Sequence, residues 1–260
     1  MKLHRISALM LRNWYITINS LDRVLDVFFW PVINLFVWGF TSVFVRDLSD
    51  KGYIVGFFLG GLILWLFFDR AQKDVNLYIL EDFWEKSVYN FYVSPMRESE
   101  LLISVSLLGL FRAVVEFCML AGLAFLGYSF NIFDVGFVLL TIFIIPLLIF
   151  AWGFGMLISG LVFRLGARVS VLTWSLPFLF QPVSAVFYPL SILPHFLQRI
   201  AALLPLAHIF EGFRLAIQGT FAAREFVLAL VLSVIYFVLF YLIFLSCVKR
   251  SKETGFLSKQ

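Results

Sequence analysis

The sequence predicts an all-α polytopic membrane protein. It should have six transmembrane helices, an amphipathic interface helix ahead of them, and a re-entrant helical pair between spans five and six. Three observations carry this. The chain of 260 residues is 62% hydrophobic and only 14% charged, with a mean hydropathy of +0.97, far from the composition of a soluble domain. Its apolar runs are long enough to cross a hydrocarbon core of ~30 Å and are divided by short polar segments. One stretch, Val169 to Gln218, is apolar yet broken repeatedly by proline.

That stretch organises the rest. It begins as an apolar helix, Val169 to Tyr188, the expected fifth span. Pro182, Pro189, Pro194 and Pro205 then punctuate it, and proline cannot sit mid-helix without removing a backbone hydrogen bond. The pieces around Phe196–Leu204 and Leu206–Ile217 are too short to cross a bilayer and too apolar for an ordinary loop. Residues 189–218 therefore read as two half-helices dipping into one face of the membrane. Broken backbone at that depth must be covered by protein or by a watery cavity. Amphipathic helices lying flat at the interface are the alternative.

Taken in order, Leu3, Ile6, Met10, Trp14, Ile18 and Leu21 fall at helical spacing on one face of residues 1–23. Arg5, Arg12, Asn19 and Arg23 fall on the opposite face. This is an amphipathic helix along the membrane surface, its basic side toward lipid phosphates or a partner. A cleavable signal peptide is not expected there. The first span is Val24 to Val45, with Asp26 expected at headgroup level and without a role. The second runs from Tyr53 to about Phe68 and carries Gly56 and Gly60, a spacing that permits close helix approach.

Residues 69–100 form the one long polar stretch between spans. Its charges are interleaved with aromatic residues, among them Phe83, Trp84, Tyr89 and Phe91. Such a segment reads as a docking element for a partner, the alternative being packing against the protein's own spans. Ser94 and Pro95 suit the start of the next helix, as N-cap and first helical residue. The third span lies within Leu101 to Gly127. Arg112 and Glu116 sit inside it four residues apart, which suggests a mutual ion pair, with a role along a substrate path as the sharper alternative. The fourth span is Val135 to Phe163, with a kink expected at Pro146. The last is Phe226 to Val248. Cys118 and Cys247 fall in separate apolar runs, so no structural disulfide is expected.

Six spans put both termini on one side. Fourteen basic residues fall on that side against five on the other, which places both termini and residues 69–100 in the cytoplasm. The net charge of +4 is thus orientation, and no nucleic-acid partner is expected. The chain has no G-x-x-x-x-G-K-[ST] phosphate loop and no zinc-like spacing. His208, Glu211 and Arg214 form the one polar constellation of the Pro-rich stretch, on adjoining parts of one helical face. A Glu211–Arg214 pair satisfying the broken backbone and shaping an outer gate is one reading. An acid/base pair of His208 and Glu211 in an intramembrane enzyme is another, and a non-transporting membrane scaffold is a third.

These pieces resemble the membrane subunit of type-2 ABC exporters over nearly the whole chain. The amphipathic N-terminal helix carries the likeness. So does the loop Glu85-Lys86 through Ser94-Pro95-Met96-Arg97-Glu98-Ser99-Glu100-Leu101. The third element is the outer segment Val186-Phe187-Tyr188-Pro189-Leu190, Leu193-Pro194, Leu204-Pro205-Leu206 and Glu211-Gly212-Phe213-Arg214. Family members commonly have Asn-Pro where this chain has Leu204-Pro205. The resemblance implies one transmembrane domain, 1–260, in the cell's inner membrane. It would pair with a second copy or a similar subunit and with two separate ATPase subunits, which hold ATP and magnesium. This chain itself would hold no cofactor and would not be an enzyme. Phe83, Trp84, Glu85, Val88, Tyr89, Phe91 and Met96 would form or flank the coupling helix that contacts the ATPase, and the re-entrant helices would close the outer end. The exported substrate would be amphipathic: a drug, a lipid or a lipid-linked glycan.

Overall fold

The computed structural model describes residues 3–49, 53–85 and 97–254. Among them there are nine α-helices and no strand. Helix α1 is Leu3–Ile18, α2 Leu21–Ser49, α3 Ile54–Trp84, α4 Glu98–Tyr128, α5 Phe137–Leu165, α6 Leu172–Val183, α7 His195–Ala201, α8 Pro205–Ile217 and α9 Ala223–Thr254. Five of these, α2, α3, α4, α5 and α9, are long and apolar enough to cross a membrane. Helices α7 and α8 qualify only together, and they bend by 97° at the Ala202–Leu204 break.

The expected fifth span is shorter than required. Helix α6 has 12 residues, or ~18 Å at 1.5 Å per residue, well under a bilayer core. Pro177 and Pro182 lie inside it, and Ala185 follows in the left-handed conformation at φ 53°, where the chain turns away. The bounds Val169 to Tyr188 are corrected accordingly: proline and the left-handed residue end the helix first.

The second span differs in the opposite direction. The sequence placed its end near Phe68 and a polar stretch from Asp69. Helix α3 instead runs unbroken for 31 residues to Trp84, about 46 Å. No Pro or Gly interrupts Asp69–Trp84, and its charged residues turn inward onto partners. Arg70, Gln72, Asp74 and Asn76 are all buried, so this half of the stretch packs against the protein's own helices. The next helix starts at Glu98, with the Arg97 N–H donating to the Glu100 carboxylate at 3.2 Å. Ser94 and Pro95 lie outside the described residues.

Helix α3 is the central rod. It packs against α2, α4 and α5, while α9 lies along α5. Small residues also let the Pro-rich segment approach the rod closely. A Cβ on Gly60 would stand 2.5 Å from the Phe213 ring of α8, and one on Gly61 2.5 Å from the Val186 carbonyl oxygen. The core along the rod is aromatic: Phe68 stacks on Phe150, and Trp65 reaches Phe210. Pro146 is carried within α5, and Cys118 and Cys247 are both free.

Helix α1 caps one end of the bundle. Ile6, Leu9, Asn13 and Thr17 face the protein, one step round from the apolar face drawn from the sequence. Leu3, Trp14 and Ile18 stay exposed on the outside. Its basic residues meet the chain's own acids: Arg5 lies 3.6 Å from Glu100 and Arg12 2.5 Å from Asp82. Just beyond the helix, Arg23 pairs with Glu81. Hydrogen bonding to Asp82 holds the Arg12 guanidinium above its ordinary pKa. The end of α9 joins the same platform through Lys252 and Glu98.

Candidate functional site

A cavity of about 500 Å³ lies beside α3, flanked by α2 and α6, within the range of small-molecule sites. Helical spacing puts Asp26, Trp30, Asn34 and Trp38 of α2 on it. From α3 come Leu62, Trp65, Leu66, Asp69, Arg70 and Lys73, and Glu116 of α4 reaches its floor. The short α6 closes it with Trp174, Phe178 and Gln181.

Its polar floor is an ion-pair network. Arg70 Nε donates to Glu116 Oε2 at 2.7 Å. Its two terminal nitrogens donate to Asp26, one to Oδ2 at 2.5 Å and one to the carbonyl oxygen at 2.6 Å. Arg112 donates to Asp74 at 3.1 Å and to the Tyr78 hydroxyl at 3.1 Å. Lys73 lies 2.9 Å from Asp69. Tyr78 continues the chain of contacts to Thr17 of α1 at 2.9 Å, and the Arg23 guanidinium lies over its ring. The network thus links the cavity to the α1 platform without a gap.

Two sequence expectations are corrected here. Arg112 and Glu116 do not pair with each other. Each faces α3, where Asp74 and Arg70 give closer partners than a neighbour on the same helix. Asp26 is not an idle headgroup residue, because Arg70 comes from α3 to hold both its carboxylate and its backbone. Asp26, Arg70 and Asp74 were missed as a group. The signal available was the four-residue spacing of Arg70, Asp74 and Tyr78 on a helix without breakers.

At the other end, α8 carries the second constellation. Glu211 and Arg214 pair at 2.8 Å, and Arg214 also donates to the Ala185 carbonyl oxygen at 2.7 Å, which ties the end of α6 to α8. His208 does not meet Glu211. Its Nδ1 lies 2.6 Å from Glu225 Oε2 in the first turn of α9, and its Nε2 lies 3.0 Å from the Ala202 carbonyl oxygen. The steps of three residues placed these side chains on one helix, but the bend at Ala202–Leu204 and the return of α9 supply nearer partners for the imidazole. Glu225 was not foreseen.

Of the residues expected to contact an ATPase subunit, Trp84 closes α3 with an exposed ring and Glu85 follows in a turn. The Phe83 side chain and Val88, Tyr89, Phe91 and Met96 lie outside the described residues. Among the described residues no group of three His, Cys, Asp or Glu is arranged to hold a metal. Comparison with known proteins finds no protein-family model and no curated protein that matches the chain.

Proposed function

We propose that the chain is the membrane subunit of an ATP-driven type-2 ABC exporter. It would move an amphipathic substrate out of the cytoplasm with energy from two separate ATPase subunits, and would work as a dimer with itself or a similar chain. The observation that carries this reading is the course of α3. One continuous helix joins the platform held by α1, the polar floor of the cavity, and the contact of Gly60 and Gly61 with the α8 end. A push at Trp84 is therefore delivered to both the cavity and the opposite end through one rigid element. Alternating access needs that coupling, because a partner changes a conformational equilibrium only through contacts that differ between states.

In this reading α1 lies along the cytoplasmic surface and residues 69–100 bear the ATPase contact at their far end. Helix α6 is a shortened fifth element, and α7 and α8 re-enter from the outer face. Both termini are then cytoplasmic, a placement that the distribution of Lys and Arg supports. The pairs Glu211–Arg214 and His208–Glu225 hold the broken backbone of the outer gate, which has no water to satisfy it. That assignment is favoured over acid/base chemistry, since both imidazole nitrogens of His208 are engaged and Glu211 is turned to Arg214.

The test is purification of the intact chain from its own membranes in mild detergent, followed by identification of stoichiometric partners. A P-loop ATPase in equal number is expected, and Trp84→Ala should uncouple its hydrolysis from transport without loss of insertion. Intact, folded chain with no ATPase partner would overturn the reading.

A further inference from the structure

We infer that the cavity between α2, α3 and α6 is a binding site for lipophilic organic cations. This inference rests on the exporter reading for its direction of transport, and on the cavity alone for its chemistry.

The cations that line the site are held by its own carboxylates. Arg70 is 3% exposed, and all three of its nitrogens donate to Asp26 or Glu116. Lys73 is 12% exposed and is held by Asp69. Two of the carboxylates are more exposed than the cations they hold, with the Asp26 side chain 31% exposed and that of Asp69 19% exposed. The ionisable lining comprises three carboxylates, Asp26, Asp69 and Glu116, against the two cations Arg70 and Lys73. An entering ligand thus meets the Asp26 carboxylate, whose Oδ2 alone is taken by Arg70, while both oxygens of Asp69 and the Arg70 guanidinium are engaged within the protein.

Above this floor the walls are indoles. Trp30, Trp38, Trp65 and Trp174 all line the cavity, and indole is the best aromatic partner for a cation. Trp30 and Trp174 are exposed, as is Phe178, and Trp38 is stacked on Phe187 with ring centroids 4.0 Å apart, which fixes its plane. Aromatic faces over a carboxylate floor suit a delocalised or quaternary cation with apolar substituents. A phosphate or carboxylate headgroup would have to compete with Asp26 and Glu116 for Arg70 and with Asp69 for Lys73, against the repulsion of those like charges.

The experiment uses the full chain in nanodiscs of phosphatidylcholine, with tetraphenylphosphonium as probe and tetraphenylborate as its anion of matching shape. Binding is read by equilibrium dialysis and by tryptophan emission, against empty nanodiscs. Saturable binding of the cation and not of the anion is expected. Asp26→Asn and Trp174→Leu should each weaken it roughly tenfold. Trp174→Leu removes no ion pair, so its effect is readable even where Asp26→Asn disturbs Arg70. The inference is overturned by cation uptake no greater than in empty discs, by equal saturable binding of tetraphenylborate, or by full affinity in both variants. Recovery of an ATPase partner without cation binding would refute the substrate class alone. Cation binding without an ATPase partner would refute the exporter reading alone.

Discussion

Arg70 of α3 and Glu116 of α4 form a hydrogen-bonded ion pair of 2.7 Å with both side chains sealed from solvent, 3% and 2% exposed. Burying two charges carries a desolvation cost that only their mutual contact and further hydrogen bonds offset. Asp26 supplies the further bonds to Arg70. The pair therefore specifies how α2, α3 and α4 meet more than it adds to net stability.

The expected consequence is an asymmetry between single and combined changes. Glu116→Leu leaves the Arg70 guanidinium short of a partner and should destabilise the protein by roughly 3–5 kcal/mol. Arg70→Met, Glu116→Leu and Asp26→Asn together remove the pair and the charge that Arg70 also holds, and should recover part of that loss, with a coupling on the order of 1–3 kcal/mol. Unfolding in mixed micelles, followed for the three singles and the triple, measures it. Additive losses would mean that the three residues act independently.

The pairs at the α1 platform should behave differently. Arg12 and Asp82 touch at 2.5 Å, but Arg12 is 43% exposed, and pairs in reach of solvent are worth well under about 1 kcal/mol. Arg12→Ala should shift the unfolding midpoint only slightly, and the shift should shrink as salt is raised. A loss as large as that of Glu116→Leu would show that α1 is held by its charges rather than by Ile6 and Leu9, which are buried against the bundle.

Much of this architecture was legible in the sequence, and the failures share a cause. Apolar runs located the five long helices because their length and hydropathy are local properties. The kinked, Pro-rich segment announced the α7–α8 bend for the same reason. Charge misled where its partner was distant. Asp69–Trp84 read as a loop because Arg70 and Asp74 look solvent-seeking, while their partners Asp26, Arg112 and Glu116 lie tens of residues away along the chain. Helix continuity, from the absence of Pro and Gly, was the better guide there. The His208–Glu225 contact could not be seen either, because it depends on the direction in which α9 returns.

A glycine facing the Pro-rich segment gives a prediction for which a second, unhindered glycine is the control. On Gly61 a Cβ would lie 2.5 Å from the Val186 carbonyl oxygen, a backbone atom with little freedom to move, whereas on Gly122 it would meet nothing within 4 Å. Gly61→Ala should lower the unfolding midpoint and loosen the contact of α3 with the segment after α6. Gly122→Ala should be neutral or slightly stabilising, as alanine is the better helix former by about 1 kcal/mol. Cysteine accessibility at Val186→Cys, measured in each background, reports the local opening. Equal effects of the two changes would count against the close approach.

Arg214 and Glu211 are paired, yet they should not be equivalent. Arg214 also donates to the Ala185 carbonyl oxygen at 2.7 Å, at the left-handed residue where the chain leaves α6. Arg214→Met strips that carbonyl of its donor at a buried position, and an unmade buried hydrogen bond costs roughly 1–3 kcal/mol. Glu211→Gln removes a charge but keeps an acceptor for Arg214, with its side chain 28% exposed. The arginine change should therefore be the more damaging to stability, and it should free residues 184–188 to protease or labelling reagents. Restoration by Arg214→Lys should be incomplete, because one ammonium cannot reproduce the forked geometry that reaches Ala185 and Glu211 together. If Glu211→Gln matched Arg214→Met in every measure, the ion pair rather than the carbonyl contact would be what fastens α6 to α8.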